Sequence, residues 1–223
     1  MDLLSIASGS SGNCYYVGSE ETHLLVDAGV SGKKIESALN EIDRKPSDLN
    51  GILVTHEHID HVKGLGVMAR KHGIPIYTTG GTISEIKKMS SIGTIDDSLF
   101  HEIEPDEPFF INDLSIDASA IWHDAADPVC YSISDGKSKF SIATDMGNYD
   151  EYVVNKLKNS DIMVIEANHD IRMLQAGPYP YYLKQRILGN RGHLSNERSG
   201  QLIKALLNSR AVTPASQESV RSG

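Results

Sequence analysis

Cysteine is scarce in this sequence. Its 223 residues hold two, Cys14 and Cys130, far apart and in no CxxC pair, which argues against a thiolate metal site and leaves both to be read as small buried hydrophobes in a reducing compartment. Long apolar runs are missing as well. None approaches the ~20 residues that cross a bilayer. The start, Met1-Asp2-Leu3-Leu4-Ser5-Ile6, has neither the basic residues nor the long apolar stretch of a signal peptide, so a cytoplasmic protein with no membrane partner is expected. Positive charge is in deficit: 21 Lys and Arg stand against 30 Asp and Glu, a formal charge of −9. This argues against a broad basic surface that neutralises phosphates. It does not argue against a metal-dependent nuclease, because bound divalent cations dominate the local field where a phosphate would sit.

What is present is ordinary for a globular chain, with 39% hydrophobic and 23% charged residues. Residues 1–210 are expected to form one domain and residues 211–223 a polar tail, disordered or truncated. Short β-rich runs fall at residues 3–6, 14–17 and 23–27, the first two separated by the small, polar stretch Ser8-Gly9-Ser10-Ser11-Gly12-Asn13. Residues 31–43 read as a helix capped by Ser31, with Ile35, Ala38, Leu39 and Ile42 on one face. The apolar run at residues 51–55 predicts a strand buried on both faces. A helix over 62–72, a strand over 74–77 and a helix over 82–89 follow. Strand character resumes at 114–121, 129–134 and 139–143, with Asp135-Gly136 as a hairpin turn. Helices at 151–157, 180–188 and 196–207 and a strand at 162–165 complete the reading. Strands and helices in two successive halves suggest two sheets face to face with helices outside.

The densest chemistry lies in residues 56–61. His56, His58 and His61 with Asp60 form H-x-H-x-D-H directly after the apolar run, so that three of the nine histidines fall within six residues. Imidazole and carboxylate suit zinc, manganese or iron. Residues two apart on an extended loop project the same way. His56 and His58 can therefore reach one ion, and Asp60 and His61 a second beside it. Three solvated loop histidines are the bland alternative, and the clustering with an aspartate weighs against it.

The stretch Thr55-His56-Glu57-His58-Ile59-Asp60-His61 resembles the signature of the metallo-β-lactamase superfamily. The resemblance implies an α/β fold, the four-layer αββα sandwich. Asp27, in Leu24-Leu25-Val26-Asp27-Ala28-Gly29, matches the family's first motif, an aspartate that supports the metal loop. His123, in Trp122-His123-Asp124-Ala125, matches the third, a ligand of the first ion, and Asp145, in Ala143-Thr144-Asp145-Met146-Gly147, the fourth, a carboxylate bridging both ions. The runs Ser8-Gly9-Ser10-Ser11-Gly12-Asn13-Cys14, Glu166-Ala167-Asn168-His169-Asp170 and Gly192-His193-Leu194-Ser195-Asn196 are similar to those of the YycJ/WalJ-type branch, bacterial cytoplasmic proteins regarded as 5′-to-3′ DNA exonucleases.

The resemblance implies a metallohydrolase that cleaves phosphodiester bonds by a metal-activated hydroxide, with DNA favoured over RNA as partner. Two divalent ions (zinc, manganese or iron) are expected, one on His56, His58 and His123, the other on Asp60 and His61, with Asp145 between them. Asp60 would also accept a hydrogen bond from the attacking water. His193, an imidazole ahead of a helix, would protonate the leaving oxygen. Ser8, Ser10 and Asn13 are expected to bind a terminal phosphate, with Asn168, His169 and the helix-capping Ser195 as further substrate contacts. One feature departs from the family: residues 208–219, after the last helix, are polar and carry no histidine where a fifth-motif histidine would ligate the second ion. A weaker second site is expected, completed by water, by His169 or by a neighbouring chain. The alternatives are an RNA or small cyclic phosphodiesterase, another hydrolase of this fold acting on a lactam or thioester, and a non-catalytic metal-binding protein. The sequence says nothing of oligomeric state.

Overall fold

The computed structural model describes residues 1–211. Strands β1 (Asp2–Ala7), β2 (Cys14–Gly18), β3 (His23–Val26), β4 (Gly51–Leu53), β5 (Ile76–Thr78) and β6 (Phe100–Glu102) form one sheet in that order. Strands β7 (Phe109–Ile111), β8 (Leu114–Ala120), β9 (Val129–Ser134), β10 (Lys139–Ala143) and β11 (Ile162–Ile165) form the other. The first sheet begins antiparallel and turns parallel from β3 onward. The second is antiparallel except for the parallel pair β10–β11.

Side-chain alternation along the strands sorts the core into three layers. In β2 and β3, Tyr15, Val17, Leu24 and Val26 face the second sheet, while Tyr16 and Leu25 face the opposite way. Leu114, Ile116, Val129, Tyr131, Ile133, Phe140 and Ile142 answer them across the central layer. The first sheet's outer face is covered by α1 (Gly32–Glu41), α3 (Leu65–His72) and α4 (Gly80–Lys88) through Ile35, Leu39, Leu65, Met68 and Ile86. The second sheet's outer face is covered by α5 (Glu151–Leu157) and α8 (Asn196–Ala211) through Val153, Leu157, Leu202 and Leu206. The layers run helix, sheet, sheet, helix, the expected αββα sandwich. Each fully buried Leu or Ile contributes roughly 1.5–3 kcal/mol.

Local signals behave as the sequence suggests in most places. Ser31 caps α1 by accepting from the Lys34 amide at 3.3 Å, and Gly73 ends α3 in the left-handed region at φ 65°. The helix expected over 62–72 is instead two: α2 (Ile59–Val62) and α3, parted at Gly64. The break has a tertiary cause, since the Gly64 amide donates to the Ala28 carbonyl at 2.7 Å and a Cβ there would lie 2.2 Å from the Val30 carbonyl oxygen. Helices α6 (Ile171–Ala176) and α7 (Tyr181–Leu188) lie between β11 and α8. Cys14 and Cys130 are free and buried, and burial pushes the Cys130 thiol up to about 12. Residues 212–223, the greater part of the expected polar tail, lie outside the described residues. Among the described residues no helix is long and apolar enough to cross a membrane.

Candidate metal centre

Five strands aim their C-terminal ends at one place. Asp27 follows β3, Thr55 and His56 follow β4, His123 follows β8, Asp145 follows β10 and Glu166 follows β11. The two sheets are tied together at this end by the Val129 amide, which donates to the Thr55 carbonyl at 3.0 Å, and by the Tyr131 hydroxyl, which donates to the Val54 carbonyl at 2.9 Å.

The loop after β4 is fastened from below. The Asp27 carboxylate accepts from the Thr55 amide at 2.8 Å and from its hydroxyl at 2.9 Å, and meets His61 Nδ1 at 2.7 Å. The backbone of Asp27 turns at φ 60° and that of Asp145 at φ 52°, left-handed conformations that a side chain bearing a Cβ adopts at a cost. Both carboxylates are thereby turned off their strand ends toward the histidines.

Outer hydrogen bonds fix which nitrogen of each ring faces inward. His61 Nδ1 donates to Asp27, His123 Nδ1 to the Gly192 carbonyl at 3.1 Å, and His56 Nδ1 to the Thr55 hydroxyl at 3.0 Å, which itself donates to Asp27. Each Nε2 is thereby the nitrogen left to face inward and ligate. Those nitrogens converge: His56 Nε2 and His123 Nε2 each lie 3.2 Å from His58 Nδ1, and Asp145 Oδ2 is 3.4 Å from His56 Nε2 and 4.0 Å from His123 Nε2. Beside them, Asp145 Oδ2 is 2.8 Å and Asp60 Oδ2 3.8 Å from His61 Nε2. Ligands ~2.1 Å from a tetrahedral ion stand about 3.4 Å apart. Acceptors crowded at this spacing repel unless a cation or proton lies between them, so the donor set fits a divalent metal. His56, His58, His123 and Asp145 make one such group and Asp60, His61 and Asp145 another, with Asp145 in both.

The electrostatics agree. Burial and the neighbouring His56 and His58 push the His123 imidazole down to about 3, and burial with His56 also lowers His58. Burial acts to lower His61 too, but the Asp27 charge and the hydrogen bonds to Asp145 and Asp27 outweigh it and push the ring up to about 10. A proton here does in part what a cation would. Burial works to raise Asp145, and its hydrogen bonds to His56 and His61 hold it far below the usual carboxylate range.

A third group lies on the other side of Asp145, formed with Glu166 and His193. His193 Nδ1 is 2.6 Å from Glu166 Oε1 and 3.6 Å from Asp145 Oδ1. Glu166 Oε2 is anchored by the Met146 amide at 3.0 Å and the Leu194 amide at 3.2 Å. Burial would lower the His193 imidazole, but the Glu166 hydrogen bond raises it above its ordinary value. Sequence reasoning missed Glu166 as a working residue. Its only signal was its place in a quoted motif at a strand end.

The expected substrate contacts divide. Ser8, Ser10, Asn13 and Asn168 line a cleft of about 380 Å³ with Asp60, Asp145, Glu166 and His193. The buried Thr144 hydroxyl, which has no protein partner, lies on the same wall. Asn13 is also part of the scaffold: its amide donates to the Asp60 carbonyl at 2.7 Å, and its side-chain Nδ2 stands 3.0 Å from His61 Nε2. Ser195 is buried and its hydroxyl accepts from the Arg198 amide at 3.2 Å, capping α8 rather than lining the cleft. His169 contacts Asn168 at 3.3 Å and does not join the donor groups around Asp145, where Glu166 and His193 stand instead.

Comparison with known proteins places this geometry in context. The sequence profile described as the Beta-lactamase superfamily domain matches residues 22–213. The chain is 42% identical over 205 residues, 92% of its length and 76% of the relative's, to exodeoxyribonuclease WalJ of Streptococcus pneumoniae serotype 2 (strain D39 / NCTC 7466). It is 38% identical over 192 residues, 86% of its length and 72% of the relative's, to exodeoxyribonuclease YycJ of Bacillus anthracis. Among solved structures, the metallo-β-lactamase fold protein YhfI from Bacillus subtilis superposes with a TM-score of 0.67 at 18% identity, covering 92% of this chain and 80% of that one.

Proposed function

The chain belongs to the β-lactamase superfamily, in its metallo-β-lactamase YycJ/WalJ branch, and from that premise we propose that it is a metal-dependent phosphodiesterase that degrades DNA as a 5′-to-3′ exonuclease. One observation supports the reading: imidazole nitrogens from His56, His58 and His123 converge on Asp145, and His61 meets the same carboxylate oxygen. A shared carboxylate between two donor groups supports two ions, whose chemistry when bound is to acidify water and to neutralise charge on phosphate oxygens. The DNA preference rests on the two exodeoxyribonuclease relatives.

In this reading His56, His58 and His123 hold the first ion, Asp60 and His61 the second, and Asp145 both. Asp60, at the cleft wall, accepts a hydrogen bond from the attacking water. His193 holds the proton for the leaving oxygen, and Glu166 favours its protonated form and orients it through the 2.6 Å contact. Ser8, Ser10, Asn13 and Asn168 offer hydroxyls and amides to the substrate's end without adding charge. The metals supply the positive charge that the cleft's Asp60, Asp145 and Glu166 lack. Zinc, manganese and iron all suit this donor set.

The decisive experiment digests 5′-phosphorylated and 5′-hydroxyl duplex DNA, and RNA of the same sequence, with manganese or zinc, using Asp145→Ala as control. Release of mononucleotides from the 5′ end of DNA, abolished in the variant, is expected. Cleavage of RNA alone, or a variant as active as its parent, overturns the reading.

A further inference from the structure

Trp122 is the chain's single tryptophan, and 45% of it is exposed. It directly precedes His123, whose ring turns into the donor cluster. Its backbone is clamped, since the Trp122 carbonyl accepts from the Gly147 amide at 2.8 Å and the residue forms a bridge to Asn148. Yet the indole joins none of the three core layers. A large apolar ring is thus held half in water on a fixed backbone, one residue from a metal-ligand candidate.

The indole lines a groove of about 460 Å³ together with His123, Asp127, Pro128, Tyr152 and Arg191. Such a volume suits a small ring system. His123 belongs to the lining while its side chain is fully buried toward the donor cluster, so the groove lies on the other side of this residue from the cluster, one residue's width away. Tyr152 is held by its hydroxyl, which donates to Asp106 at 2.7 Å. Arg191 is exposed, and among the described residues its guanidinium has no ion pair or hydrogen bond. The other arginine near the metal loop, Arg186, is engaged by Asp124. An unpaired guanidinium and an open aromatic face that line one groove next to the candidate metal centre combine the two elements by which proteins hold single strands: stacking for the base and charge for the backbone.

We propose that Trp122 is a stacking platform for a nucleobase of the substrate strand, with Arg191 contacting the phosphate beside it. The inference rests on the nuclease reading above and adds to it the surface that grips the strand. It also answers the net charge of −9: a chain that cannot attract DNA over a broad basic surface gains strand affinity from stacking, which needs no net charge.

The single tryptophan makes the test direct. Metal-loaded protein is mixed in a stopped flow with a 5′-phosphorylated oligothymidylate, and indole fluorescence is read before cleavage. An abasic oligonucleotide of equal length and charge is run in parallel. Quenching by the first and not the second is expected; equal quenching by both, or none by either, overturns the proposal. Steady-state kinetics supply a second readout. Trp122→Ala should raise KM for single-stranded DNA about tenfold, the lower range of base–aromatic stacking, with kcat moved far less, and Trp122→Phe should restore KM. Arg191→Gln should flatten the dependence of log Kd on log salt by about 0.7, one phosphate contact on a single strand. A Trp122→Ala variant with unchanged KM overturns the platform. Base-selective quenching in a protein that hydrolyses no DNA supports the platform while removing the nuclease reading, so the two failures are separable.

Discussion

Asp27 and His61, both fully buried, meet at 2.7 Å through Oδ2 and Nδ1. The Asp27 oxygen accepts the Nδ1 proton, so Nε2, 2.8 Å from Asp145, is the nitrogen that can offer a lone pair to a metal once the proton it carries in the metal-free protein is displaced. Asp27→Asn replaces one oxygen by a donor of nearly equal size. The new amide confronts the Nδ1 proton, and the ring must take the other tautomer, which aims a proton at the ion's position. Such supporting contacts typically carry 10- to 100-fold in metal affinity. We expect a loss of that size for the more weakly held ion, read by titration against a competing chelator. Unchanged affinity would show that Asp27 does not set the tautomer.

Gly29 is the tightest point beneath the loop. A Cβ at this position would stand 1.7 Å from the Asp60 carbonyl oxygen and 2.7 Å from the Asn13 amide nitrogen. Both belong to the strap in which the Asn13 amide donates to Asp60 and the Gly29 amide to Asn13. Gly29→Ala cannot be accommodated without displacing Asp60, so a stability loss of about 1–3 kcal/mol should come with weakened metal binding. Gly200→Ala, where nothing lies within 4 Å in the middle of α8, should stabilise by roughly 0.5–1 kcal/mol. Thermal melts with and without metal check both. Equal behaviour of the two variants would remove the steric account.

The part of the centre that lies within six residues was legible in the sequence, because H-x-H-x-D-H is local and its spacing carries the geometry. His123 and Asp145 were not legible in that way. Their meeting with His56 depends on two sheets sharing one end, and only motif resemblance pointed to them. Glu166 escaped because a lone glutamate after a strand has no local mark, and its partner His193 is 27 residues on. Asn13 and Ser195 show the converse. Polar residues in a loop and before a helix were read as substrate contacts, whereas the fold also uses Asn13 to brace Asp60 and uses Ser195 to cap α8. Strand alternation and end caps gave the layers, while the break at Gly64 answers to tertiary contacts that no periodicity encodes.

The pairing of His193 with Glu166 sets a pH dependence with a definite sign. Glu166 raises the imidazole above its ordinary value, so the ring keeps its proton to higher pH than a free imidazole and loses it as pH rises further. Activity should therefore fall on the alkaline side as that proton leaves. Glu166→Gln removes the carboxylate charge and should move this limb to lower pH. His193→Ala should cost roughly 100-fold in kcat on DNA, within the usual range of general acids. The loss should shrink on a p-nitrophenyl phosphodiester, whose leaving oxygen needs no proton. A loss of equal size on both substrates would mean that His193 is not the acid.

Removing the metals should loosen the whole end of the sandwich. With no cation present, nitrogens only 3.2 Å apart at His56, His58 and His123 face one another, and Asp145 leans on a proton at His61, whose imidazole is pushed up to about 10. Metal must displace that proton, so binding should release it to buffer and strengthen as pH rises. A metal at a hundred times its Kd stabilises the folded state by about 2.7 kcal/mol, which for a chain of this length corresponds to roughly 5–10 °C in Tm. Chelation should lower Tm by that amount at neutral pH, and readdition of zinc or manganese should restore it. Calorimetry in two buffers of different ionisation enthalpy should register the released proton. A melt unmoved by chelation of a metal-loaded sample, or binding with no proton released, would mean that the convergent histidines do not hold the ions.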